Sequence, residues 1–320
     1  RPPRSSSSEP RNSVCTAATE CVGQPVGHSL SPAMHNAAFA ADGLDLVYVC
    51  LDVDPDELPA AVRGLEALKL RGFNVTMPHK RAMIPLVDEL DEEARISGAV
   101  NTVVIEASGL RGFNTDGGGM VMACQEAGIE LSGKSVLLLG AGGTAAAIAV
   151  AFGKAGVDEL HIANRSVEHA AYLRDKLHGT GMKGLVVHPL DTLPDAEIVI
   201  NATPLGMKEG DLMPVPPAYV REGRGFCDAV YRPGTETPLV RLARERGVPV
   251  VAGDRMLLYQ GVLAQKLWTG REPNVNAMLA ARGLTGTAEV GLSLPEALGR
   301  IDEVAAEHAA AYRGFAERHA

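Results

Sequence analysis

Six residues, Gly140-Ala141-Gly142-Gly143-Thr144-Ala145, close an apolar run at 135–139 and open an Ala-rich stretch of helical character. A strand that ends in a glycine turn and feeds a helix start suits a pyrophosphate, because free backbone N–H groups and the helix dipole both attract an anion. Gly140 permits the tight turn, Gly142 leaves bare backbone for a phosphate, and small Ala145 lets the helix lie close on its strand. About 20 residues on, where such a unit reads the adenosine ribose, stands Asn164-Arg165-Ser166, with no carboxylate until Glu168. An acidic residue there selects NAD, whereas arginine suits the 2′-phosphate of NADP. NADP is the expected cofactor, with NAD as the weaker alternative. Dinucleotides of this class carry hydride, so the chemistry is oxidoreduction.

Four further polar clusters resist explanation as core. Gly27-His28-Ser29-Leu30-Ser31-Pro32 sets two hydroxyls ahead of a helix whose first turn suits Pro32. Ser31 alone would serve as a routine N-cap; Ser29 is not needed for capping, and the pair suits a substrate carboxylate. Asn74-Val75-Thr76-Met77-Pro78-His79-Lys80 leaves a strand and enters a helix, which puts its polar groups at the C-terminal edge of a parallel sheet, where ligands bind in open α/β folds. Ala99-Val100-Asn101-Thr102 and Phe113-Asn114-Thr115-Asp116 place amides, hydroxyls and a carboxylate beside apolar residues. Lys80 in isolation would read as one more surface lysine. Its company argues otherwise.

The elements that must position these groups alternate on both sides of the glycine turn. Before it, apolar runs at 47–51, 72–75 and 100–105 are interleaved with helical patterns at 55–68 and 78–90. After it, strands are expected at 159–163, 184–188, 197–201, 225–230 and 248–251. Alternation of this kind gives βαβ units, so the predicted class is α/β with two α/β units in sequence. The glycines at 117–119 read as a hinge within a linker at 116–121. Residues 257–269 form an amphipathic helix, and 295–317 reads as an exposed helix with alternating charge. The Arg-, Ser- and Pro-rich residues 1–20 are expected to be disordered; they resemble a transit peptide only loosely and receive no function.

Composition excludes several classes. With 320 residues and 46% hydrophobic content there is material for two cores. No stretch approaches the roughly 18 uninterrupted apolar residues of a membrane span. A net charge of -9 offers no basic face to nucleic acid. Cys15, Cys21, Cys50, Cys124 and Cys227 form no C-x-x-C pair, which argues against a disulfide framework or structural zinc and for a reducing, cytoplasmic setting. His28, His35 and His79 lack the i, i+4 spacing of a helical zinc motif, so no metal is expected.

In order along the chain, Gly-His-Ser-Leu-Ser-Pro, Asn-Val-Thr-Met-Pro-His-Lys, Gly-Ala-Val-Asn-Thr, Asn-Thr-Asp-Gly, Gly-Ala-Gly-Gly, Asn-Arg-Ser, Asn-Ala-Thr-Pro-Leu-Gly-Met and Leu-Leu-Tyr-Gln-Gly resemble the shikimate dehydrogenase family over residues 22–270. The resemblance implies NADP-dependent, reversible reduction of 3-dehydroshikimate to shikimate. It implies Lys80 and Asp116 as the catalytic pair, Ser29 and Ser31 on the substrate carboxylate, and Thr76, Asn101 and Gln260 on ring hydroxyls, with Tyr231 closing the site. Gly140 to Ala145, Asn164, Arg165, Ser166, Thr203, Met207, Val230 and Gly253 would hold the cofactor. The domains implied are a leader at 1–20, a substrate domain with a mostly parallel sheet at 21–118, and a Rossmann-type NADP domain at 119–252. Helices at 253–284 would return to the N-terminal domain, and a helical tail would follow at 285–320. The partner is a small molecule, and the working unit a monomer or homodimer.

Physical chemistry supports the pair independently. Hydride arriving at a ketone carbon leaves charge on oxygen, which a positioned ammonium stabilises and protonates while a neighbouring carboxylate keeps that ammonium charged. The sequence also departs from the family. His169 stands where the NADP motif usually has a second arginine, so the 2′-phosphate would meet one permanent cation and one imidazole. Gly253-Asp254-Arg255 lacks a second small residue before Met256. Quinate or aminoshikimate dehydrogenase is the rival on the same scaffold, and Ser31 in place of a bulkier Thr leans toward shikimate. A non-catalytic metabolite sensor would not need Lys80 and Asp116. A Ser-His-Asp hydrolase lacks its G-x-S-x-G elbow.

Overall fold

Two sets of short aliphatic runs build two separate sheets. In this computed structural model, which describes residues 17–282 apart from His28 and Pro233, the first sheet comprises β1 (Ala17–Gly23), β2 (Leu46–Asp52), β3 (Gly72–Val75), β4 (Glu89–Leu90), β5 (Thr102–Glu106) and β6 (Gly109–Phe113). Its strand order is β2-β1-β3-β5-β6-β4. β1 runs parallel to β2 and β3, and β4 parallel to β6; only β5 is antiparallel to its neighbours. Helix α1 (Ser31–Ala41) sends Phe39 onto one face beside Tyr48. Helix α2 (Leu58–Ala67) packs Leu58, Val62 and Leu65 onto Val22, Phe73 and Val75 on the other. A short α3 (Glu92–Ser97) is capped by Asp91, whose carboxylate accepts from Ala94 N at 2.7 Å.

Helix α4 (Asp116–Glu126) leads into the second sheet: β7 (Ser135–Leu139), α5 (Gly143–Lys154), β8 (Glu159–Ala163), α6 (Val167–Lys176), β9 (Gly184–His188), β10 (Ile198–Asn201), β11 (Gly225–Asp228), α7 (Pro238–Glu245) and β12 (Val250–Val251). The order is β12-β11-β10-β7-β8-β9 and every pairing is parallel, the doubly wound Rossmann arrangement with its switch point between β7 and β10. Buried on both faces, β7 and β10 are almost wholly apolar. Helix α8 (Gly253–Thr269) then crosses to the first sheet, where the Trp268 indole donates to Val103 O at 2.9 Å, and α9 (Val275–Arg282) lies against α1. Met34 and Ala38 of α1 meet Leu258 and Val262 of α8 and Met278 of α9.

Four sequence expectations need correction. Residues 17–20, assigned to a disordered leader, form the first part of β1. The helix expected at 78–90 is instead a run of turns, one 3-10 turn at Ile84–Leu86 and the short β4, because Pro85 interrupts the helical period. The hairpin β5–β6 was not foreseen. Gly117 to Gly119 are helical and form no hinge: a Cβ on Gly117 would stand 2.2 Å from Ala147 O, and one on Gly119 2.7 Å from Gln260 N, so these glycines let α5 and α8 touch α4. The leader up to residue 16 and the tail from 283, including the helix expected at 295–317, lie outside the described residues.

Candidate active site

Lys80 is fixed by the turn that carries it. Where β3 ends, Thr76 N donates to Val22 O and His79 N to Thr76 O, both at 2.9 Å, while Val100 N donates to Lys80 O at 2.8 Å. The buried His79 ring donates through Nε2 to Val53 O at 2.7 Å. The ammonium held by this turn lies 2.7 Å from Asp116 Oδ2.

Asp116 opens α4, where a carboxylate is favoured by the helix dipole, and is 5% exposed. Its second oxygen, Oδ1, accepts from Asn101 Nδ2 at 2.8 Å. Asn101 donates its other N–H to Thr115 Oγ1 at 3.0 Å, and its Oδ1 accepts from Thr115 N and the Thr102 hydroxyl, each at 2.9 Å. Behind it, Asn74 donates to Asn101 O and Thr102 Oγ1 at 3.0 Å and accepts from the Tyr48 hydroxyl at 2.8 Å. Buried amides so linked are mutually satisfied, and together they fix the carboxylate.

Lys80 and Asp116 lie on one wall of a cleft of about 580 Å³ between the two sheets. Ser29, Ser31, Thr76, Asn101 and Gln260 share that wall and its end. Thr144, Met207, Val230, Tyr231 and Gly253 come from the side of the second sheet. Gln260 Oε1 stands 3.5 Å from both Asn101 Nδ2 and Thr115 Oγ1, and its Nε2 donates to Leu257 O at 2.9 Å. The two serines exchange the roles that sequence suggested. Ser31 is the first residue of α1 and makes no cap bond, whereas Ser29 Oγ accepts from Ser31 N at 3.2 Å. Burial raises the Tyr231 phenol above its ordinary range, so it stays a neutral donor.

The glycine turn fits a dinucleotide. Gly140 has φ +112°, and a Cβ there would meet Ala202 O at 2.8 Å; over Gly142 the space is open, and the start of α5 has no side-chain cap. Ala141, Gly143 and Thr144 complete the turn, and Ala145 is fully buried under the helix. Beyond β8, Asn164 Nδ2 donates to Ser166 O at 2.9 Å, and Ser166 caps α6 by accepting from His169 N at 3.3 Å. Arg165 is exposed and has no ion pair among the described residues. Thr203 donates to Asn201 Oδ1 at 2.6 Å, while Asn201 donates to both Leu205 O and Asp228 Oδ1.

Sequence reasoning missed several contributors. Asp228, at the end of β11, also accepts from Val230 N at 3.0 Å and from the Thr237 hydroxyl at 2.6 Å, so one buried carboxylate joins the loop before Met207 to the loop bearing Val230 and Tyr231. Its place at the C-terminal end of a strand was the available signal. Arg232 lines the cleft and has no carboxylate partner among the described residues. Tyr48 buttresses the site from within an apolar run that gave no sign of it.

An acid-bearing lysine facing a dinucleotide turn across an interdomain cleft belongs to a two-domain, nucleotide-dependent oxidoreductase. Three family models match in order along the chain: the shikimate dehydrogenase substrate binding domain at 21–103, shikimate/quinate 5-dehydrogenase at 122–206, and the shikimate 5'-dehydrogenase C-terminal domain at 255–281. The shikimate dehydrogenase (NADP(+)) of Rubrobacter xylanophilus is 56% identical over 284 residues, spanning 87% of this chain and 99% of that one. The crystal structure of shikimate 5-dehydrogenase from Thermus thermophilus in complex with NADP(H) and shikimate matches with a TM-score of 0.75 at 36% identity, covering 83% of this chain and 98% of that one. Quinate dehydrogenase from Corynebacterium glutamicum in complex with NAD matches with 0.76 at 34% identity, covering 83% and 98%. The chain belongs to the shikimate dehydrogenase family.

Proposed function

We propose that this protein reduces 3-dehydroshikimate to shikimate, reversibly, with NADPH, and that Lys80 and Asp116 carry the proton chemistry. The 2.7 Å ion pair inside the cleft is the observation that supports this reading most directly. When bound, the reduced dinucleotide supplies hydride, and the residues that fit it are Gly140 to Ala145, with Asn164, Arg165, Ser166 and Thr203 toward the adenosine side and Met207, Val230 and Gly253 toward the cleft. Lys80 Nζ donates a hydrogen bond to the ketone oxygen and transfers its proton as charge develops there, and solvent restores the proton. Asp116 holds the ammonium charged and aimed. Ser29, Ser31 and Tyr231 take the substrate carboxylate and its end of the ring; Thr76 and Gln260 take ring hydroxyls. Both N–H groups of Asn101 are already engaged, so its first task is to orient Asp116.

The substrate unit is residues 21–118, the NADP unit 119–252, and 253–284 the returning helices. No helix among the described residues is long and apolar enough to cross a membrane, and we place the enzyme in the cytoplasm, where the four free cysteines among the described residues would stay reduced. Every group named comes from one chain, so a monomer or a homodimer would carry complete sites.

Initial rates with shikimate, quinate and aminoshikimate, each with NADP and NAD, test the reading. Shikimate with NADP is expected to give the highest kcat/KM, and Lys80→Ala to lower kcat by about 10²–10⁴-fold. Turnover of Lys80→Ala within about threefold of the parent would remove the assigned proton donor.

A further inference from the structure

One pair of nucleophilic side chains stands beside the cleft with no part in the reaction. Cys21 on β1 and Cys50 on β2 are direct partners in the parallel ladder, so both side chains leave the sheet on the same face. Neighbouring strands lie about 4.8 Å apart, inside the roughly 4.4–6.8 Å range of Cα separations that a disulfide spans. Cys21 lines the cleft and is 4% exposed, whereas Cys50 is half-buried. Cys21, Cys50 and Tyr48 pack in one cluster, and Cys21 lines the same stretch of cleft as Ser29 and Ser31, whose own link is Ser31 N donating to Ser29 Oγ at 3.2 Å. Both serines assigned to the substrate carboxylate thus stand on the wall that the thiol pair builds.

These surroundings divide the labour between the sulfurs. Cys50 is the more exposed of the two and its neighbours Cys21 and Ser29 lower its pKa, whereas the neighbouring Cys50 and then burial push the Cys21 thiol well up. We infer that Cys21 and Cys50 are an oxidation site, which a peroxide converts to a disulfide that withdraws Ser29 and Ser31 from the substrate carboxylate and halts turnover. The inference rests on the assignment of that carboxylate to the two serines.

The chemistry balances with peroxide as the oxidant. The Cys50 sulfur attacks one peroxide oxygen, the O–O bond breaks, and hydroxide departs and is protonated to water, leaving a sulfenic acid. The Cys21 sulfur then attacks the Cys50 sulfur; an S–S bond forms, the S–O bond breaks, and the oxygen leaves as a second water with the Cys21 proton. Two thiols lose two electrons, and the peroxide gains them. Cys124 and Cys227, with sulfurs 3.5 Å apart, provide an internal comparison, because both are fully buried in the core of the second sheet, away from the cleft.

The reduced full-length chain is treated with hydrogen peroxide, quenched with catalase, assayed, and digested without reductant for mass spectrometry. Peptides joined through Cys21 and Cys50 are expected, together with a fall in activity of about tenfold or more that dithiothreitol reverses and bound shikimate slows. Cys50→Ala is expected to lose less than about twofold of its own untreated rate under the same treatment. Equal inactivation of Cys50→Ala, a linkage only between Cys124 and Cys227, or a complete 21–50 linkage with activity intact would each overturn the inference. Ser29→Ala, read as KM for shikimate, tests the carboxylate assignment separately, since the mass-mapped linkage does not depend on it.

Discussion

Gly119 of α4 lies directly against the backbone of Gln260 of α8: a Cβ on Gly119 would stand 2.7 Å from Gln260 N and 3.0 Å from its Cα. Backbone cannot yield to that contact as a flexible side chain could. Gly119→Ala is therefore expected to push α8 outward, with a stability loss of about 1–3 kcal/mol and a fall in kcat/KM approaching about 10²-fold through displacement of Gln260. Thermal melting and steady-state kinetics on one preparation check both; a variant with unchanged kinetics would detach Gln260 from the site.

Replacing the carboxylate of the ion pair while keeping its shape separates charge from packing. In Asp116→Asn one oxygen can still accept from Asn101, but the amide N–H₂ would face the Lys80 ammonium, donor against donor. We expect kcat to fall by about 10²–10⁴-fold with a much smaller change in KM, because the interaction that is lost is needed for proton transfer. A KM effect alone would recast Asp116 as a binding residue.

Arg165 is exposed and has no ion-pair partner among the described residues, which is how a side chain kept for a phosphate would be found. Removing it costs one charge-assisted contact of about 1.5–3 kcal/mol, so Arg165→Ala should weaken NADP by at least about tenfold while leaving NAD nearly unchanged. Dissociation constants for both cofactors decide this, and equal weakening would remove the case for phosphate recognition.

Burial raises the Asp228 carboxyl from 3.8 to about 6, even though three donors oppose the shift. Below pH 3.8 both folded and unfolded chains are protonated there, so ionisation costs the fold nothing. As pH rises, the unfolded chain ionises first, and above about pH 6 the fold bears the full penalty of roughly 3 kcal/mol. Stability of the parent relative to Asp228→Asn should fall by about that amount across this window, as read by urea unfolding at its two ends. In the variant the remaining oxygen can still accept from Asn201 and Val230 N, and only the Thr237 hydroxyl loses its acceptor, so the KM for NADP should change little; a flat difference across pH would place the titration elsewhere.

Much of the second sheet could be read from residues alone, since strand-length apolar runs and a glycine turn are local signals. Gly140 revealed its positive φ by its place in that turn. Lys80 and Asp116 were different: each stood in a polar cluster legible in the sequence, but 36 positions apart they become partners only through the pairing of β3 with β5 and of β5 with β6, and their pairing came from family resemblance. The three glycines at 117–119 misled because freedom to bend and freedom to pack closely leave the same mark in a sequence. The 78–90 segment misled in the opposite direction, its apolar period outweighing Pro85 on paper although the proline decides the backbone. Tyr48 gave no signal, and Asn74 signalled only as part of a polar cluster, as their worth lies in partners 26 residues or more away.

Helix α8 starts with Gly253 pressed against Val230 and Met256 in the core of the second sheet, and ends with Trp268 bonded to the first. One rod is thus rooted at both ends. Neither half keeps a finished interior if the other melts, so calorimetry should record a single cooperative endotherm instead of two, and a break anywhere along the rod should loosen both halves together.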